Sequence, residues 1–110
     1  MTALIKIYDK TCDVCLQLEG LDSAFAEEEG FEFKSYTLTE LATLDSSIRD
    51  YVVSYYVVPN DGMIDVPIYL IENDAGQIQA SGIVTEFEEI RNLVTAWKQW
   101  ASSQNAKSAE

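Results

Sequence analysis

Histidine is absent from the 110-residue chain, which removes Cys–His nucleophile pairs, His-ligated metals and most general-base schemes. Basic residues are scarce: 7 Lys and Arg stand against 19 Asp and Glu, a formal net charge of −12. Such a chain repels a phosphate backbone or an anionic membrane surface, so neither nucleic acid nor membrane is expected as a partner. No apolar run approaches the ~20 residues of a membrane span, and Met1 to Lys6 lacks the basic region, apolar stretch and cleavage site of an export signal. A monomeric, cytoplasmic protein is expected. Cysteine is limited to Cys12 and Cys15, too close together to staple a scaffold, and a bridge between them would close a very short loop and add little stability. Zinc would need two further ligands, carboxylates or groups from another chain, and no metal or other cofactor is expected.

What is present suffices for one hydrophobic core, since 47% of the residues are apolar. Ala3 to Tyr8 is an apolar run with β-branched and aromatic members, read as a buried strand that leads into the cysteines. Helical spacing begins at Asp13, with Leu16, Leu18, Leu21, Phe25 and Ala26 as the apolar face. Glu19, Asp22, Glu27 and Glu28 are assigned to the opposite side, and Gly30 is the stop. Phe31 to Tyr36 reads as the second strand. Asp45 or Ser46 is positioned to cap a helix with Ile48, Tyr51, Val52 and Tyr55 on one side, ended by the turn signal Pro59-Asn60-Asp61-Gly62.

Val66 to Ile71 and Gln77 to Ser81 read as strands paired antiparallel across Asn73-Asp74-Ala75-Gly76. Thr85 and Glu88 have capping-box spacing ahead of a helix carrying Phe87, Ile90, Val94, Trp97 and Ala101 toward the core. Residues 1–101 thus form one domain, and Ser102 to Glu110, small and polar without periodicity, form a flexible tail. The order strand, helix, strand, helix, strand, strand, helix gives an α/β fold. Its first two strands are parallel through a crossover, in a mixed four-stranded sheet flanked by helices.

A cysteine at a strand-to-helix junction sits where backbone N–H groups lack intrahelical partners and the helix dipole is positive. Both favour thiolate, the nucleophile of disulfide exchange, so Cys12 is the expected attacker with a pKa below the free value of ~8.5. Lys10 assists this shift, and Asp9 and Asp13 oppose it. Cys15, one helical turn on, is within reach of Cys12 and is the expected resolving thiol. A half zinc site or two incidental buried thiols are the competing readings of the pair.

The strand-CxxC-helix start, the Val66-Pro67 opening of the third strand and Gly82 after the fourth resemble the thioredoxin and glutaredoxin superfamily. The resemblance implies the thioredoxin fold, a cis peptide bond before Pro67, and a substrate-facing surface of Val66 and Pro67 opposite Thr11, Asp13 and Val14. It implies a thiol-disulfide oxidoreductase that reduces protein disulfides, drawing electrons from a donor such as thioredoxin reductase or glutathione. Thioredoxins carry an aspartate six residues before the first cysteine, where this chain has Lys6. The approach Tyr8-Asp9-Lys10 and Asp65-Val66-Pro67 are similar to glutaredoxin, with Asp65 in place of its threonine, so a glutathione-linked enzyme is a second expectation. A third is a thioredoxin-fold binding or assembly protein whose cysteines do not turn over.

Overall fold

The structure, a computed structural model, describes residues 1–44 and 46–108. Its sheet has the order β2-β1-β3-β4, so that β1 (Ala3–Tyr8) and β3 (Ile68–Glu72) are central. β1 runs parallel to β2 (Glu32–Thr37) and antiparallel to β3, and β3 pairs antiparallel with β4 (Ile78–Ile83). The β1–β2 and β3–β4 pairings are the expected ones, and the β1–β3 pairing joins the two halves of the sheet. Both faces of a central strand are covered, which is why β1 and β3 read as near-continuous apolar runs.

Alternation along β1 sorts the core. Ala3, Ile5 and Ile7 join Ile68 and Leu70 under Leu41 of α3 (Leu38–Thr43) and Ile48 and Val52 of α4 (Ser47–Val52). On the other face Leu4 joins Tyr69 and Ile71 under Phe25 and Ala26 of α2 (Leu21–Glu28) and Ile90 and Val94 of α5 (Phe87–Ser108). Each fully buried Leu or Ile contributes about 1.5–3 kcal/mol. Lys6 lies on this second face, opposite Tyr69 in the β1–β3 register. Phe87 and Trp97 of the expected apolar stripe pack edge-on against Phe25 and Phe31. None of the described helices is long and apolar enough to cross a membrane.

Several elements depart from expectation. The single helix expected after the cysteines is two, α1 (Asp13–Gln17) and α2, parted by a turn in which Gly20 takes φ 84°. Leu16 and Leu21 are exposed and Asp22 is buried, the reverse of their assigned sides. Helical phase within α2 accounts for its part of this: Asp22, Phe25 and Ala26 stand at i, i+3 and i+4, a single face, from which Leu21 is turned by about 90°.

The helix α3 was not anticipated, although Thr37 and Glu40 cap it reciprocally, the Thr37 N–H donating to Glu40 Oε1 at 3.0 Å and the Glu40 N–H to Thr37 Oγ1 at 3.2 Å. Ser46 caps α4 by accepting from the Ile48 N–H at 3.2 Å, and the alternative Asp45 lies outside the described residues. Beyond Val52 the chain widens into a π-helical segment, Val53–Val57, and then tightens into a 3-10 turn, Val58–Asn60. The wider turn leaves Tyr55 exposed, whereas the Tyr51 and Tyr56 hydroxyls meet at Ser81 Oγ.

Val66-Pro67 precedes β3 rather than opening it, and Gly82 lies within β4 rather than after it. At the last helix the carboxylate that reaches back is Glu89, not Glu88, accepting from the Thr85 N–H at 3.1 Å. The helix begins at Phe87, which places Glu89 at its third position. Nor does α5 end near Ala101. It runs to Ser108, because residues 102–108 hold neither glycine nor proline to stop it; residues 109–110 lie outside the described part.

Candidate active site

The loop between β1 and α1 is fixed by Asp9. Its carboxylate accepts from both the N–H and the hydroxyl of Thr11 at 3.1 Å, and its carbonyl accepts from the Cys12 N–H at 3.1 Å. Cys12 is thereby placed as the N-cap of α1, and the Cys15 N–H points at its Sγ from 3.1 Å. Cys12 and Cys15 are joined as a disulfide with their Cα atoms 5.2 Å apart. Their surroundings differ: Cys12 is half-buried, whereas Cys15 is 1% exposed beneath the helix.

Across from the pair, the Val66 carbonyl oxygen lies 3.8 Å from Cys12 Sγ, and the Val66-Pro67 bond is cis. The Pro67 carbonyl in turn accepts from the Val84 N–H at 3.1 Å, tying this loop to the chain beyond β4. Among the other residues singled out in the sequence, Thr11 and Asp13 are exposed beside Cys12, and Val14 is half-buried against the core. Lys10 is exposed on the approach to the cysteines, and its charge contributes to holding the Glu40 carboxyl below its ordinary range, behind the hydrogen bonds from Thr37.

The sequence reading missed the cluster beneath Cys15. Lys6 Nζ pairs with Asp22 Oδ2 at 2.7 Å, with the two side chains 6% and 2% exposed, and donates to the Cys15 carbonyl at 2.8 Å. Asp22 also accepts from the Tyr69 hydroxyl and the Ser23 N–H, each at 2.7 Å. Burial, reinforced by the Asp22 carboxylate that accepts its proton, pushes the Tyr69 phenol far above its ordinary range, so it stays neutral. Lys6, Cys15, Asp22 and Ser23 border one cleft of about 380 Å³. Two signals for this cluster were present: a lysine inside a buried strand demands a counter-charge, and Asp22 shares helical phase with Phe25 and Ala26. The buried ion pair thus joins a lysine of β1 to a carboxylate of α2.

Among solved structures the fold matches the X-ray structure of Fasciola hepatica thioredoxin, with a TM-score of 0.59 over 86% of this chain and 79% of that one, at 12% identity. No family model matches the chain, and no curated protein matches it in sequence. The fold is thioredoxin-like. The Cys12–Cys15 disulfide at the start of α1 is a pair that can pass between disulfide and dithiol.

Proposed function

We propose that this protein is a thiol-disulfide oxidoreductase that reduces protein disulfides by dithiol exchange, with Cys12 as nucleophile and Cys15 as resolving thiol. The observation that carries this reading is the unequal pair: a half-buried Cys12 at the N-cap of α1, facing the Val66 carbonyl, and a Cys15 closed off beneath it. In the cycle the Cys12 thiolate attacks a substrate disulfide and displaces one substrate thiolate, leaving a mixed disulfide. Cys15 then gives up its proton and attacks Cys12 Sγ, and the second substrate thiolate leaves. The substrate has gained two electrons, and the Cys12–Cys15 disulfide awaits a donor.

Helix N-terminal N–H groups, among them that of Cys15, favour the Cys12 thiolate. Thr11, Asp13 and Val14 lie beside Cys12 in the chain and Val66 faces it, and in this reading they make the substrate contact together with the backbone of Pro67, whose side chain is fully buried, with Lys10 favouring the thiolate from the approach.

Insulin reduction with dithiothreitol as electron source tests the assignment. Cys12→Ser is expected to abolish the activity, and Cys15→Ser, reduced and then freed of dithiothreitol before insulin is added, to accumulate a mixed disulfide with the substrate. A Cys12→Ser variant as active as the unmodified protein would falsify it. Replacing dithiothreitol by thioredoxin reductase with NADPH, or by glutathione, identifies the donor class, and failure of both favours a binding protein.

A further inference from the structure

The cycle just described uses none of the three buried polar side chains beneath Cys15. Their arrangement is tied to the shortness of α1. In a continuing α-helix the Glu19 N–H would reach the Cys15 carbonyl; here it bonds Leu16 O at 3.2 Å, because the chain turns toward Gly20. Lys6 Nζ takes up the Cys15 carbonyl instead, at 2.8 Å. The ammonium is itself held by Asp22 Oδ2 at 2.7 Å, and Asp22 is fixed by the Tyr69 hydroxyl and the Ser23 N–H. Lys6 and Tyr69 are register partners on β1 and β3, so the anchor stands on the two central strands of the sheet.

We infer that Lys6 is a positioning residue for the resolving half of the exchange: it anchors Cys15 to the sheet through the Cys15 carbonyl, and Asp22 and Tyr69 fix its ammonium for that purpose. The inference rests on the dithiol reading. A five-residue helix has too few internal hydrogen bonds to hold its own C-terminal half in place. With Cys12 occupied by substrate, Cys15 Sγ must remain close to and aligned with the Cys12–substrate bond, and a misplacement of about 1 Å lowers such a rate by up to ~100-fold. The first attack depends much less on the anchor, since it draws on the N-terminal N–H groups of α1 and the exposed side of Cys12.

The two halves are separated by reacting the reduced protein with dithiobis-nitrobenzoate, the aromatic disulfide. The Cys12 thiolate attacks one of its sulfurs and displaces the first nitrothiobenzoate anion. Cys15 loses its thiol proton to water, its thiolate attacks Cys12 Sγ, and the second anion leaves as the Cys12–Cys15 disulfide closes. The reagent's disulfide takes up the two electrons. With one equivalent of reagent per protein, two releases from the unmodified protein support the dithiol reading, and a single release overturns it together with the inference built on it.

The decisive variant is Lys6→Met combined with Asp22→Asn, which removes both charges together and leaves an amide oxygen to accept from Tyr69. Its second release is expected to slow about tenfold or more while the first stays within about threefold. Tyr69→Phe, which removes one hydroxyl from a fully buried ring, is expected to slow the second release by about two- to threefold and decides the matter by the same readout if the double variant does not fold. A second release as fast as in the unmodified protein, or both releases slowed alike, would overturn the role of Lys6 while leaving the dithiol reading intact.

Discussion

Asp22 accepts from an ammonium, a phenol and a backbone N–H at once, and the Lys6 and Tyr69 side chains that supply the first two are buried with it. A buried pair of this kind contributes little net stability relative to an apolar replacement, yet losing one member strands the other charge. Lys6→Met alone is therefore expected to destabilise the protein by about 3–5 kcal/mol in urea unfolding, and Asp22→Asn alone by a similar amount. The two changes together should cost clearly less than the sum of the single ones. Additive losses would mean that the two side chains do not act as a unit. Cys12 and Cys15 were legible as a pair from their spacing, because both lie in one short stretch of chain. Asp22 was not, because its acidic character was given more weight than its helical phase.

Helix starts in this protein are set by short local devices, and two of them titrate. Glu40 is held below its ordinary carboxyl value of 4.5 by the backbone and hydroxyl of Thr37, and Glu89 by the hydroxyl and backbone of Thr85. A carboxyl whose folded value is depressed contributes stability that is complete above its unfolded value and is lost as the pH falls through the folded one. Glu89→Gln is accordingly expected to melt below the unmodified protein near neutrality, and the two melting temperatures should converge below about pH 3. A difference that persisted in acid would show that the charge of Glu89 plays no part. The Thr37–Glu40 box was visible in the sequence as Thr-x-x-Glu, but the strand pattern of Phe31 to Tyr36 drew attention away from it. The division of the first helix was less visible, since an isolated glycine such as Gly20 is tolerated within a helical pattern at a cost of about 1 kcal/mol.

A net charge of −12 surrounds the whole molecule and acts on every encounter it makes. If protein disulfides are the substrate, a basic substrate protein should be reduced several-fold faster at low ionic strength than near 0.15 M salt, where the screening length is about 8 Å. An acidic substrate should show the opposite trend. Equal salt dependence for both would indicate that long-range charge has no role in the encounter.

At this scale the contributions of sequence and tertiary structure separate cleanly. Strand periodicity, turn residues and the apolar stripe of α5 determined the order of the four strands along the chain, the mixed sheet and the place of Cys12 and Cys15 at a strand-to-helix junction. Each depends on residues within a few positions of one another. Only the tertiary structure decided what lies against the cysteines. Val66 meets Cys12 across 54 positions of chain, and Tyr69 meets Asp22 across 47. Lys6 of β1 meets a carboxylate delivered by α2. Such pairings follow from the register of β1 on β3 and the turn at Gly20, which set the distances between side chains that no local pattern connects.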